Sequence, residues 1–473
     1  MFEKVLEEFE KPFPQKGFTR KAETMNKKMR AGKKVGFISL GCPKNQCDTE
    51  VMLHKLMSAG YEITAEETEA DAVIINTCGF IESAKKESID NILDIAWLKE
   101  NGKLKGLIVT GCLSERYKEQ LTEEMPEIDA ILGVGALDKI TDAVDEVLFG
   151  DGNYCCIPAK DACPLGGDRI ITTGETFAYL KVSEGCDNRC TYCAIPSIRG
   201  GLRSRTIEDC VAEAKDLDAM GIKELVVIAQ DTTVYGRDIY GELALPKLLR
   251  AITNATSIPW IRILYCYPDK ITDELIAEMR DNDRIVKYID LPIQHISDHM
   301  LSAMNRHGDS ACVKDAIKRL RDNIPGIVIR TTAIVGFPGE TEEDFSELCE
   351  FVKEAKFERF GAFTYSREED TPAYDFEDQI DEQVKQDRYD ILMRHQLEVS
   401  GDYNEQFVGT TQTVLCEGFD PVSEAYLGRT YRDAAEIDGK VWFTAHREVT
   451  EGEMVSVKIT EALDYDLVGE VIF

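Results

Sequence analysis

No stretch of this sequence approaches the ~20 consecutive apolar residues that a membrane-spanning helix requires, so no membrane partner is expected. Positive charge is scarce: 55 Lys and Arg stand against 87 Asp and Glu, a net of −32. A surface that acidic repels phosphate backbones, which disfavours a broad nucleic-acid platform and favours a basic protein as partner. The opening MFEKVLEEFEKPFPQ carries charges where a secretory signal needs an apolar core. Internal repeats and low-complexity tracts are missing. The 15 cysteines are an odd number in a chain of 473 residues, too long for a small disulfide framework. The expectation is a cytoplasmic protein whose reduced thiols are free to bind metals. What remains is ordinary: 43% apolar and 30% charged residues exclude a mainly disordered chain.

Residues 1–33 read as a polar extension. It opens with an amphipathic pattern (Phe2, Val5, Leu6, Phe9) that ends at Pro12 and Pro14, as in a solvated tail with one short helix. From 34 to 150, apolar runs alternate with helical patterns at 50–60, near 83–99 and from Ser114. The runs are KVGFISL (34–40), DAVIINT (71–77), GLIVTG (106–111) and AILGVG (130–135). Continuous β-branched runs between helices predict a buried parallel sheet, hence an N-terminal doubly wound α/β domain. Residues 151–171, with Gly, Pro, Asp and three cysteines but no period, read as a linker.

Over 172–404 six further strand–helix units follow. Their strands are FAYLKVS (177–183), ELVVIAQ (224–230), WIRILYC (260–266), YIDLPIQ (288–294), IVIRTTAIVGF (327–337) and RFGAFTYS (359–366). Six such units predict a TIM-like partial (β/α)6 barrel. Beyond Asn404 only short alternating runs remain, as in a small all-β barrel over 405–473.

Cys186, Cys190 and Cys193 form a C-x3-C-x2-C group just after the first barrel strand, at the face where such barrels place their chemistry. Clustered thiolates suit zinc or iron–sulfur centres, but no second C-x2-C pair stands nearby to complete a closed zinc site. Three thiolates on a four-iron cubane leave one iron open for a substrate or cofactor. Cys42, Cys78 and Cys112 each directly follow an apolar strand of the first domain (ISLGCPKN, INTCGF, VTGCLS). The C-terminal ends of parallel strands share one edge, so these three should converge on a second three-cysteine centre. Cys210, Cys266, Cys312, Cys349 and Cys416 fit single core or half-buried thiols. Cys155, Cys156, Cys163 and Cys47 read as bystanders, although Cys47 sits at a helix start, where thiolates are favoured.

Other polar residues fall at the predicted C-terminal edge of the barrel. Gln230 and Asp231 follow one strand, Gln294 and His295 another, and Gly336, Gly339 and Thr341 of GFPGET a third. Together with Arg330 they are candidates for binding a ligand at the barrel mouth. GFPGET also makes a good turn before a helix capped by Thr341, and Arg330 and Asp290 serve equally well as a structural ion pair.

The cysteine group with an aromatic before its last Cys resembles the radical S-adenosylmethionine superfamily. Over about residues 34–473 the chain resembles the methylthiotransferases within it, in the branch that modifies an aspartate of small-subunit ribosomal protein uS12. SLGCPKN (39–45), NTCGFIESAKKESI (76–89), SEGCDNRCTYCAIPSIRG (183–200), IRTTAIVGFPGET (329–341) and GRTYRDAAEIDG (428–439) carry that resemblance. The tRNA-modifying branch typically reads GCQMN where this chain has GCPKN. One departure is Gln46-Cys47, where the family more often has two aliphatics.

The resemblance implies two 4Fe-4S clusters and S-adenosyl-L-methionine as cofactors, with a TRAM-like terminal barrel. Cys186, Cys190 and Cys193 would hold the cluster that cleaves S-adenosylmethionine, and Cys42, Cys78 and Cys112 an auxiliary cluster carrying the sulfur. A 5′-deoxyadenosyl radical would take hydrogen from the unactivated β-carbon of the target aspartate. The implied partners are uS12, free or in the small subunit, and an electron donor such as flavodoxin or ferredoxin; tRNA is not expected. Residues 405–473 hold five basic and fourteen acidic positions, a net of −9, which suits a basic ribosomal protein. Glu436, Asp438 and Glu453 are candidate docking carboxylates there. A tRNA adenosine methylthiotransferase and a non-radical iron–sulfur carrier are the alternatives.

Overall fold

The computed structural model describes residues 28–174 and 176–472; the amphipathic pattern Phe2–Phe9 lies outside them. The first unit is a six-stranded, wholly parallel sheet. Its strands are β1 (Lys34–Ser39), β2 (Glu62–Thr64), β3 (Ala72–Thr77), β4 (Gly106–Gly111), β5 (Ala130–Leu132) and β6 (Tyr154–Cys156), in spatial order β2-β1-β3-β4-β5-β6. Every residue of β3 and β4 is buried because helices cover both faces. Met52, Leu56, Ala143 and Val144 pack on Ile74 and Ile108, whereas Ile92, Ile95 and Leu121 pack on Val73, Ile75 and Leu107. The alternation of those strand residues between two clusters is the period of two expected of β structure. The winding reverses between β1 and β3, which opens a crevice at their C-terminal ends. β6 lies inside the stretch expected to be a linker, and β2 was not foreseen. Both are three-residue edge strands, too short to show a period.

The second unit is an open parallel sheet in chain order. It runs β7 (Phe177–Lys181), β10 (Glu224–Ile228), β11 (Trp260–Ile263), β12 (Ile285–Asp290), β13 (Val328–Val335) and β14 (Arg359–Thr364). It is a six-stranded partial barrel. The strand expected at 288–294 lies earlier, because Pro292 lacks the N–H that a ladder needs. A short antiparallel hairpin of β8 (Ser183–Glu184) and β9 (Arg203–Ser204) brackets the cysteine loop.

The third unit is a closed five-stranded barrel, β15 (Thr411–Asp420), β16 (Ala425–Arg429), β17 (Val441–Thr444), β18 (Met454–Ala462) and β19 (Leu467–Val471). Its loop between β16 and β17 enters the concave face of the partial barrel, where Ala434 and Ala435 pack among Val226, Tyr288 and Val328. Arg429 pairs with Glu224 at 2.7 Å, Arg359 with Asp433, and Arg330 with Asp290 at 2.8 Å and Asp438 at 3.5 Å. Tyr288 and Tyr179 donate to Asp438 (2.6 Å) and Glu436 (2.9 Å).

This plug corrects one expectation. The Asp438 side chain is buried in bonds within the chain, and Glu436 and Glu453 also bond internally, to Tyr179 and the Arg447 guanidinium, while staying accessible. A charge count cannot separate a buried carboxylate from a solvated one.

Candidate functional site

The three strand-end cysteines of the first unit and the three of the partial barrel line one cavity of about 440 Å³. Local backbone explains how the thiols meet. Gly41, before Cys42, has φ +91°, and a Cβ on it would stand 2.8 Å from the Cβ of Cys78. Gly111, before Cys112, has φ +100°, and a Cβ there would stand 2.4 Å from Asn76 Oδ1. Both positions need a residue without a side chain, in the left-handed region that glycine tolerates. The loops therefore turn tightly enough to bring Cys42, Cys78 and Cys112 to one edge.

Between the two triads stands Arg199, wholly buried, from the helix Ile195–Arg199 that follows Cys193. It pairs with Glu184 at 3.0 Å and Asp48 at 3.1 Å and donates to Asn45 Oδ1. Asn45 also accepts from the Cys112 thiol at 3.6 Å. Lys181 adds pairs to Asp48 and Glu184. One charge network thus joins the units directly beneath both thiol groups. Removing one member would leave a buried charge uncompensated, at a cost of about 3–5 kcal/mol.

The thiols differ in their electrostatic settings. Burial works to raise Cys42, but Lys44, Arg199 and the amides of Asn45 and Lys44 outweigh it and bring the thiol below its ordinary value. Burial, with the neighbouring Cys112, pushes Cys78 up to about 12. Burial and the neighbouring Cys190 push Cys193 up to about 12, and burial takes Cys186 to about 11. A bound metal reverses the raised values, since its charge deprotonates a ligating thiol. Tyr267 Oη lies 2.7 Å from Cys190 Sγ, and burial keeps that phenol protonated, so it donates when Cys190 is a thiolate. Arg306 stacks on Tyr267 at 3.7 Å from the ring centroid, and Lys44 on Tyr265 at 3.3 Å.

Among the described residues no three Cys, His, Asp or Glu side chains converge closely enough to hold a single ion. A cubane, whose thiolates bind different irons, needs the wider spread that one roomy cavity provides. Its remaining walls offer free hydrogen-bond acceptors. Gln230 is anchored through Nε2 to Glu184 at 2.6 Å, yet its Oε1 is buried without a partner. Gln294, held at φ +67°, also has an unpartnered Oε1. Buried acceptors of this kind await donors, since native structures rarely leave them unpaired.

Other expected site residues lie elsewhere. Asp231 is buried behind the wall, accepting from Asn188 at 2.7 Å, and so positions the cysteine loop rather than facing the cavity. Arg330 is the third residue of β13, far from its C-terminal end, and belongs to the plug. Gly336 and Gly339 form the turn before the helix Glu342–Ala355, which Thr341 caps in a capping box with Asp344. Glu340 of that turn is buried against His295 and Arg388. Cys47 faces away from the cavity, with Sγ 3.6 Å from Arg169 Nη1, and burial takes its thiol to about 12. Cys266, expected in the core, is buried and also touches the cavity.

Tyr265, Tyr267, Lys44, Arg199 and Arg306 were not foreseen. The first two carried a signal, since YCYP begins two residues past the end of β11. Arg306 lies in a loop beyond the helix Asp298–Ala303 and carried none.

Comparison with known proteins agrees with this architecture. Residues 34–133 match a model described as "Uncharacterized protein family UPF0004", 180–352 the Radical SAM superfamily, and 408–472 the TRAM domain. The chain is 48% identical to "Ribosomal protein uS12 methylthiotransferase RimO" of Acetivibrio thermocellus, over 93% of this chain and 98% of that one. It is 50% identical to the protein of the same name in Clostridium botulinum, again over 93% and 98%. Among solved structures, the radical S-adenosylmethionine methyltransferase TsrM of Kitasatospora setae superposes with a TM-score of 0.53. It shares 15% identity, over 82% of this chain and 79% of that one, so the likeness is one of fold.

Proposed function

Since the chain belongs to the ribosomal protein uS12 methylthiotransferases of the radical S-adenosylmethionine superfamily, we propose that it replaces a hydrogen on the β-carbon of a uS12 aspartate with a methylthio group in this one cavity. It is a radical S-adenosylmethionine methylthiotransferase with S-adenosylmethionine and 4Fe-4S clusters as cofactors. The observation that carries the site assignment is the opening of both cysteine triads onto the same 440 Å³ space. Cys186, Cys190 and Cys193 hold the cluster that cleaves S-adenosylmethionine, and Cys42, Cys78 and Cys112 hold the auxiliary one. Bound there, these groups supply a hydrogen-abstracting radical and a transferable sulfur, which no side chain can provide.

The protein's own residues bind, orient and shield. Gln230 and Gln294 accept from the hydroxyl and amino groups of S-adenosylmethionine. Tyr267 donates to Cys190 and, under Arg306, fixes the loop that carries it. Lys44 and Arg199 favour the thiolate of Cys42, and the two cations Lys44 and Arg306 attract carboxylates into a mostly apolar cavity. The walls exclude water, so that the radical meets only the bound target. Both triads open onto one space, so groups held by the two would act on a single bound target.

Flavodoxin or ferredoxin fits as electron donor, and the cytoplasm, where ribosomal proteins assemble, as location. No helix among the described residues is long and apolar enough to cross a membrane. Mass spectrometry of uS12 and tRNA from cells lacking the protein tests the reading. Loss of the methylthio group from uS12 alone supports it; loss from tRNA alone overturns it.

A further inference from the structure

The helix Glu82–Asn101 covers the first sheet with Ile92, Ile95 and Ala96. On its other side Ile89, Leu93 and Trp97 are 38%, 51% and 62% exposed. Spaced four residues apart, they form one continuous stripe. Ile89 and Leu93 of the stripe, with Leu113, Leu121 and Met125, border a groove of about 410 Å³ closed on its far side by the helix Lys118–Glu124, and Trp97 continues the stripe past its end. The exposed Ile89, Leu93 and Trp97 serve neither the sheet nor the cofactor cavity, although Leu113 and Leu121 on the groove's floor also belong to the core. Contiguous exposed apolar patches of this kind mark binding sites.

Charge and position select the occupant. The rim carries Glu82, Glu124 and Glu369. Its cation, Lys85, is tied to Glu82 at 2.7 Å and to the buried Glu368 at 3.1 Å, so the rim is net negative. A second copy of this chain would bring these carboxylates against themselves, and an acidic electron donor or an anionic membrane would be repelled likewise. A ribosomal protein is basic because it lies against RNA phosphates. Leu113 directly follows Cys112, and Glu82 lies four residues beyond Cys78, so the loops that carry two auxiliary thiols also open the groove.

Resting on the reading of uS12 as substrate, we propose that this groove docks uS12. An apolar side chain of uS12 flanked by Lys or Arg seats on Leu93 and Trp97, while the target aspartate enters the neighbouring cavity. The terminal β barrel, whose candidate carboxylates are engaged within the chain, is then not the main docking surface.

The test measures uS12 binding to the reconstituted holoenzyme, unmutated and as Leu93→Glu, Trp97→Ala and the pair Glu124→Lys with Glu369→Lys. These side chains are outside the cavity, so S-adenosylmethionine cleavage without uS12 should stay unchanged and report a folded enzyme. Leu93→Glu and Trp97→Ala should each weaken uS12 binding on the order of tenfold, as buried anchors do. The charge-reversed pair should slow association and flatten its salt dependence. Unmutated affinity in Leu93→Glu overturns the inference while leaving the substrate assignment intact. An unmutated dimer that Leu93→Glu dissolves also overturns it, by giving the groove to a second copy. Failure of the unmutated holoenzyme to bind uS12 overturns the substrate reading and the inference with it.

Discussion

The two ends of the partial barrel bury charge in opposite ways. Where the terminal loop plugs it, buried arginines meet carboxylates: Arg262 and Arg429 share Glu224, Arg359 meets Asp433, and Arg330 meets Asp290. At the other end Lys44 and Arg306 rest on the rings of Tyr265 and Tyr267, with no carboxylate partner among the described residues. Beside them Gln230 and Gln294 keep acceptors unpaired. The plug is mostly satisfied within the chain, Arg262 Nη2 and both Nη atoms of Arg432 excepted, whereas the other end turns its cations and free acceptors toward a cavity.

The largest expected effect separates the two triads. Cys190→Ala and Cys78→Ala should both abolish methylthiolation of uS12, but only Cys190→Ala should abolish reductive cleavage of S-adenosylmethionine. An assay of 5′-deoxyadenosine formation without uS12 checks this. Equal loss in both variants would merge the two centres into one.

At the plug, Glu224→Gln should lower global stability by about 3–5 kcal/mol, because Arg262 then lies buried without a carboxylate and Arg429 keeps only Glu417. Denaturant unfolding checks it. S-adenosylmethionine affinity of the folded fraction should be retained. At the opposite end Gln294→Ala should do the reverse, weakening S-adenosylmethionine binding about tenfold while stability stays within ~1 kcal/mol. Isothermal titration beside a melting curve reads both, and a Gln294→Ala protein that is destabilised yet binds normally would erase the contrast between the ends.

The smallest effect belongs to Cys47, which belongs to neither end. Cys47→Val should cost less than about 1.5 kcal/mol as a near volume-conserving change, with full iron content. Loss of iron in that variant would make Cys47 a ligand.

How much of this could be read from sequence follows the range of the contacts involved. β3 and β4 were evident because every residue is buried, and the six thiols because each directly follows a strand or shares one short loop. Spacing also signalled the capped turn at Thr341, but not that Gly336 and Gly339 serve that turn rather than the cavity. Arg330 and Asp231 could not be placed, since the end of a strand that a side chain occupies depends on register and on distant partners such as Asp438, 108 residues away by 438 − 330. The plug was invisible for the same reason. Its motif GRTYRDAAEIDG was plain in the sequence, but its role depends on a sheet that begins more than 200 residues earlier. Three-residue edge strands such as β2 and β6 are too short to leave a period.

The central claim, that each triad holds its own four-iron cluster at one shared cavity, is tested most directly by iron analysis after anaerobic reconstitution. The account predicts about eight irons per unmutated chain and about four in Cys78→Ala and in Cys190→Ala alike, one cubane surviving in each. About four irons in the unmutated protein, or eight in either variant, would contradict it.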